Sequence, residues 1–399
     1  MLTATQLDRY ADVLLWGLET ARRGKIKKND IMVIRYNLPA IRLVEILYKK
    51  LIEMGVHPLH RLMQTPEMEK NFYSLSSKNQ LVFIPPGEEE LYKNLNGAIA
   101  VLAPESLTHL SGVDASKISE SLKARKALRE ILDQREEQGL FSWTLGMYPT
   151  PELAVHAAMT EKEYSDEIIR ACFLNRVDPV AQWEAVFGRA KTLKKWLNRM
   201  EVSTYHIESD HVDLEITPGD KRRWIGISGH NIPSFELFLS PDWRGTRGRY
   251  FADQPSYRSG NYVSGIRLEF KKGKVVQAVA EQGGAFLKTQ LAMDDGACRL
   301  GEFSLTDKTF SKISRFMANT LFDENFGGKF GNCHVALGAS YSDTYNGNPS
   351  ELTRELKKNL GFNDSALHWD IVNTEKKRVT AHLKDGTKAV IYENGCFIN

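Results

Sequence analysis

Two stretches of the chain bring together side chains that can bind a divalent cation. In Leu367-His368-Trp369-Asp370 an imidazole and a carboxylate stand two residues apart. On a strand, where side chains alternate with period two, both point to one face and could act as adjacent ligands. His211-Val212-Asp213 has the same spacing, so an ordinary His–Asp contact on a strand surface explains the pattern as well. The second stretch runs from Asp323-Glu324-Asn325 through glycines at 327, 328 and 331 to His334. There a pliant loop separates two potential ligands, Glu324 and His334; its plain alternative is a glycine-rich turn carrying a solvated acid. Two more glutamates lie in apolar or glycine-bounded surroundings: Glu236 ahead of Leu237-Phe238-Leu239, and Glu302 between Gly301 and Phe303. A buried, unpaired carboxylate is too costly to keep charged. Each of these acids therefore has a partner or points outward from an edge strand.

Holding such side chains calls for strands, and the second half of the chain supplies them. Residues 203–208, 211–217, 224–228, 265–271 and 275–281 are short β-rich runs broken by turn signals, as antiparallel hairpins require. Residues 378–383 and 388–393 flank Asp385-Gly386, a tight hairpin turn. A helix is expected over 307–321. The first half is built differently: strand patterns at 31–36, 61–64 and 97–102 alternate with helical patterns at 40–54, 117–137 and 179–200. The last of these opens on Asp178 as N-cap and Pro179 at the first helical position. Such alternation favours parallel βαβ units. Only nine of the 29 glycines precede residue 201, which marks the change of character. The expected architecture is an α/β N-terminal domain with a mostly parallel sheet over 1–200. A β-rich α+β domain, which carries every candidate metal ligand and would be the catalytic domain if those ligands serve a reaction, follows over 201–399.

Composition narrows the function by exclusion. With 399 residues, 42% hydrophobic and 26% charged, the chain has the balance of a folded soluble protein of about two domains. No apolar run approaches the ~20 residues of a membrane span, and residues 1–19 read as an amphipathic helix instead of a signal peptide. Cys172, Cys298, Cys333 and Cys396 lie far apart with no CxxC, which points away from disulfides and zinc fingers and towards a reducing cytoplasm. A net charge of +3 is too mild to announce nucleic acid or a membrane surface. Arg244, Arg247, Arg249 and Arg258 could form a nucleic-acid patch, but a solvated loop is the simpler reading. Residues 1–200 contain neither GxGxxG nor GxxxxGK[ST], which disfavours a nucleotide-binding protein.

Taken together, Asn231-Ile-Pro-Ser-Phe-Glu236, Leu300-Gly-Glu302-Phe, Asn319-Thr-Leu-Phe-Asp-Glu324-Asn, His334-Val-Ala-Leu-Gly338 and His368-Trp-Asp370 resemble, in order and approximate spacing, the M29 family of metallo-aminopeptidases. The total length also fits that family. The resemblance implies a peptide substrate, a homodimer and two divalent metals. Their ligands would be Glu236, Glu302, Glu324, His334, His368 and Asp370, with Glu302 or Asp370 bridging. It also places Tyr341 near the metals. The chain departs from the family pattern in carrying Phe235 just before the first glutamate, in a longer loop between Glu324 and His334, and in the Arg- and aromatic-rich segment 241–261.

Four acids and two histidines suit Zn, Co or Mn better than a soft copper site. Amide hydrolysis then needs an acid–base group, for which Glu302 and Glu324 both qualify and Glu302 is preferred. Tyr341 could donate to the developing oxyanion or could simply pack beside a glycine turn. A dinuclear hydrolase acting on another amide or ester would use the same ligands. A non-enzymatic ligand-binding protein is the remaining alternative.

Overall fold

The computed structural model describes residues 2–22 and 24–399. The chain forms two compact units. One extends to Phe187 and also takes in Ile227–Ser234 and Met317–Leu321, while the other comprises Gly188–Gly226, Phe235–Phe316 and Phe322–Asn399. Among the described residues no helix is long and apolar enough to cross a membrane.

The first unit is built on a parallel sheet. Its strand order is His57–Leu62, Ile31–Tyr36, Gly97–Leu102, Ser142–Met147 and the two-residue Asn231–Ile232, with every pairing parallel. The α/β expectation holds. The strand expected at 61–64 instead covers His57–Leu62, and the long helix expected at 117–137 is two helices, Ala115–Ala124 and Lys126–Glu137. The N-terminal helix Ala4–Thr20 is started by a capping box between Thr3 and Gln6, and it buries Tyr10, Leu14 and Leu18. Tyr10 donates its hydroxyl to the Met147 carbonyl at 2.8 Å, tying this helix to the sheet.

The second unit is β-rich, as expected. Eight antiparallel strands, from Lys274–Val279 at one edge to Cys396–Phe397 at the other, form its large sheet. The hairpin around Asp385-Gly386 lies within it, pairing Arg378–Leu383 with Lys388–Glu393. Four more antiparallel strands make a smaller sheet in the order His368–Asn373, Asn332–Gly338, Leu300–Thr306, Glu236–Leu239. Aromatic packing joins the two sheets, since Phe303 meets the rings of Tyr205 and Trp224 at 5.8 and 5.4 Å. Tyr250 adds hydrogen bonds to the carbonyls of Cys333 and Ile371 at 3.0 and 2.8 Å.

Two expectations fail in this half of the chain. Residues 224–228 form no strand and contribute only an isolated bridge from Ile225 to Phe238. Residues 307–321 are not a helix; a short one covers Thr320–Asp323. Side chains there capture main-chain N–H groups that a helix would need: Asp307 accepts from Thr309 at 2.7 Å and Ser311 from Ile313 at 3.1 Å.

Candidate metal centre

Strand register collects the candidate side chains on one face of the smaller sheet. Thr306 lies opposite Glu236, while Ser304 lies opposite both Phe238 and His334. Ala336 lies opposite Glu302 on one side and Asp370 on the other, and His368 lies opposite Gly338. Period-two alternation then points Glu236, Glu302, His334, His368 and Asp370 the same way. Ala336 is small enough to leave space between the two carboxylates that flank it. A bulge between Leu300 and Glu302 adjusts the register at Gly301. A Cβ at Gly301 would stand 2.3 Å from the Ala339 carbonyl oxygen, so the strands approach this closely only with glycine there.

Glu324 reaches the group from the turn after Thr320–Asp323. Its carbonyl accepts from Thr306 Oγ1 at 3.1 Å and from Asn332 Nδ2 at 3.0 Å. The neighbouring Asn325 accepts the Phe235 N–H at 2.5 Å, which links this turn to the start of the Glu236 strand.

The centre of the cluster is His334. Its Nε2 lies 3.0 Å from Glu236 Oε2, 3.1 Å from Glu302 Oε1 and 3.9 Å from Asp370 Oδ1. His368 Nε2 lies 3.3 Å from Asp370 Oδ1 and 3.9 Å from Glu302 Oε2. Its other nitrogen, Nδ1, bonds the Ala339 carbonyl at 2.9 Å, which leaves Nε2 for the cluster. Ligand atoms of Glu236, Glu302 and His334 come within 4.8 Å of one another, as do those of Glu324, His334 and Asp370. Glu236, Glu302, Glu324 and His334 are buried, whereas His368 and Asp370 are partly exposed on the edge strand. The cluster is therefore open along that edge. Tyr341 stands at the rim, its ring 4.7 Å from that of His368 and 5.9 Å from that of Phe238.

Burial and mutual repulsion shape the electrostatics. Glu302 is pushed up to about 7 by burial, reinforced by the charge of Glu236 and opposed by its hydrogen bond with His334. Burial and the charges of Glu236 and Asp370 raise Glu324 well above the usual carboxylate range. Burial alone would lower His334, but the charges of Glu236 and Glu302 and hydrogen bonds with both raise it well above its ordinary value. Burial would raise Asp370, yet the charge and hydrogen bond of His368 hold it at about 2. Four carboxylates face two imidazoles, so, once its protons have left, the cluster carries an excess of negative charge that divalent cations would offset. The donor set of oxygens and imidazole nitrogens fits Zn, Co or Mn.

The other candidates fall elsewhere. His211 contacts Glu375 at 2.5 Å and Asp213 contacts His206 at 2.9 Å, so that His-x-Asp spacing builds no common site. Of that segment's arginines, Arg244 pairs with Asp242 and Arg247 with Glu215, whereas Arg258 comes to the cluster itself, donating to the His368 carbonyl at 2.7 Å and helping to keep Asp370 low. Sequence reasoning missed Ser304, Thr306, Asn325 and Asn332. For Ser304 a signal was available, because a residue two positions from Glu302 on a strand shares its face.

Acids and imidazoles gathered in this arrangement suit a divalent-metal site, and the family match makes the class that of the metal-dependent hydrolases. The chain belongs to the thermophilic metalloprotease (M29) family, whose sequence model matches residues 3–397. It is similar to aminopeptidase AmpS of Bacillus subtilis (strain 168), 26% identical over 398 residues that cover 93% of this chain and 94% of that one. It is 28% identical to aminopeptidase T of Thermus aquaticus over 308 residues, covering 72% and 73% of the two chains. The fold matches that of wild-type AmpT from Thermus thermophilus with a TM-score of 0.79 at 22% identity, over 99% of each chain.

Proposed function

We propose that the protein is a metal-dependent aminopeptidase that removes N-terminal residues from peptides, with two divalent ions (Zn, Co or Mn) held by Glu236, Glu302, Glu324, His334, His368 and Asp370. The observation that carries this reading is the convergence of buried carboxylates on His334 Nε2 at 3.0 and 3.1 Å. The relatives named as aminopeptidases supply the reaction class. When bound, the ions would polarise the scissile carbonyl and bring the pKa of water to about 7. Glu302 and Asp370 each lie within 3.9 Å of both imidazoles, so either would serve as the ligand shared by two ions. Glu302 carries the proton, its Oε2 turned towards His368 at 3.9 Å and the open edge. Tyr341 at the rim donates to the oxygen that gains charge as the amide carbonyl is attacked. The free α-amine of the substrate pairs with an acid of the cluster. Residues 201–399 perform the reaction and residues 1–200 serve as scaffold, in a cytoplasmic homodimer.

Protein stripped with a chelator should lose hydrolysis of amino-acid amides and regain it with Zn or Co. Full activity in the stripped protein overturns the reading. His368→Ala should lower metal stoichiometry, measured by elemental analysis, while circular dichroism stays unchanged. A substrate panel separates an aminopeptidase from a hydrolase of other amides or esters.

A further inference from the structure

We infer that Ser304 is a positioning residue that sets the metal affinity of one part of the centre, the part that contains Glu236. This rests on the metal-dependent reading above. Ser304 is fully buried, and its hydroxyl lies 2.9 Å from Glu236 Oε2. The Leu237 carbonyl, at 3.4 Å, is its other acceptor. A hydroxyl has one proton to donate, and the shorter bond to a charged carboxylate is the stronger of the two. The same Oε2 stands 3.0 Å from His334 Nε2, so it is the oxygen turned towards the shared cation position. A carboxylate oxygen offers more than one lone pair. Ser304 takes one and holds the group in a single rotation, so that another stays aimed at the ion.

The placement is built into the sheet. Ser304 lies opposite Phe238 and His334 and two residues from Glu302, so its side chain has to rise among these groups. Among the described residues it makes no hydrogen bond to Glu302, Glu324, His368 or Asp370. Its influence therefore falls first on the Glu236–Glu302–His334 group, which shares only His334 with the one containing Glu324 and Asp370. Outer partners of this kind typically change metal affinity 10–100-fold when removed.

The test is zinc titration of the chelator-stripped full-length protein against a chromophoric competitor. Ser304→Ala should weaken one zinc-binding step by about 10–100-fold and leave any other step as in the wild type. Ser142→Ala serves as comparator: it removes an equally buried hydroxyl that bonds a main-chain carbonyl, that of Leu18 at 3.0 Å, and lies outside the cluster. It should keep the step that Ser304→Ala loses. Wild-type zinc affinity in Ser304→Ala, or equal weakening of that step in both variants, overturns the inference. A purely structural hydroxyl would lower the melting temperature of the stripped protein without moving that step, and this result also counts against it. A wild-type protein that binds no zinc sinks the metal reading itself, and the inference with it.

Discussion

Because burial pushes Glu302 up to about 7 and the neighbouring carboxylates raise His334 well above its ordinary value, the unloaded centre holds protons in mildly acidic solution. An incoming cation has to displace them, so affinity rises as pH rises through the Glu302 value. We expect zinc to bind the stripped protein more tightly at pH 8 than at pH 6, with proton release visible by calorimetry in buffers of different ionisation enthalpy. Release of no protons at pH 6 would contradict the assignment. At this scale the site was partly legible in the sequence. Period two puts His368 and Asp370 on one face without tertiary information, but His211 and Asp213 share that spacing and build no site. Glu236 and Glu302 are different, since an acid in an apolar run reads equally well as an outward-facing edge residue. Burial decides between these readings, and burial depends on a register that the sequence does not display. The family motifs, not the residues taken singly, linked the six positions.

Among the elements, the Leu300–Thr306 strand carries the most responsibility, since it supplies Glu302, Ser304 and Thr306 to one face. Its bulge depends on Gly301, where a Cβ would also meet the Gly338 carbonyl oxygen at 2.4 Å. Gly301→Ala must separate two paired strands, and we expect a loss of about 2–4 kcal/mol in denaturant titration, accompanied by weaker zinc binding. An unchanged midpoint would mean that the strands tolerate the displacement. The 378–393 hairpin was legible because Asp385-Gly386 specifies a tight turn locally. The segment 307–321 was misread for the opposite reason. Its apolar spacing suits a helix, but Asp307 and Ser311 bind main-chain groups at short range, and Ser311 Oγ also donates to the Asn325 carbonyl at 2.5 Å. Those bonds hold the chain irregular on the way to Glu324. The Ser142–Met147 strand escaped notice because its polar and glycine residues break up the apolar pattern.

Over the molecule as a whole, a cation bound at the cluster stabilises only what its ligands hold together. Saturation at about 100 times the dissociation constant adds roughly 2.7 kcal/mol to the folded state. We expect hydrogen exchange to slow in Glu236–Leu239, Leu300–Thr306, Asn332–Gly338 and His368–Asn373 on zinc addition. The parallel strands Ile31–Tyr36 and Gly97–Leu102 should keep their rates; uniform slowing of both sets would show that the two units open as one. The two-unit character was legible in the sequence because local periodicity separates βαβ alternation from hairpins. The return of Ile227–Ser234 and Met317–Leu321 to the first unit was not, since it depends on contacts distant in sequence. The wide spread of the cluster, from position 236 to position 370 of 399, also has a consequence during biosynthesis. A ribosome makes the chain from its N-terminus, so Glu236 and Glu302 emerge well before His368 and Asp370 have been translated. The growing polypeptide cannot assemble the centre, and the peptidase stays latent, until residue 370 has been translated.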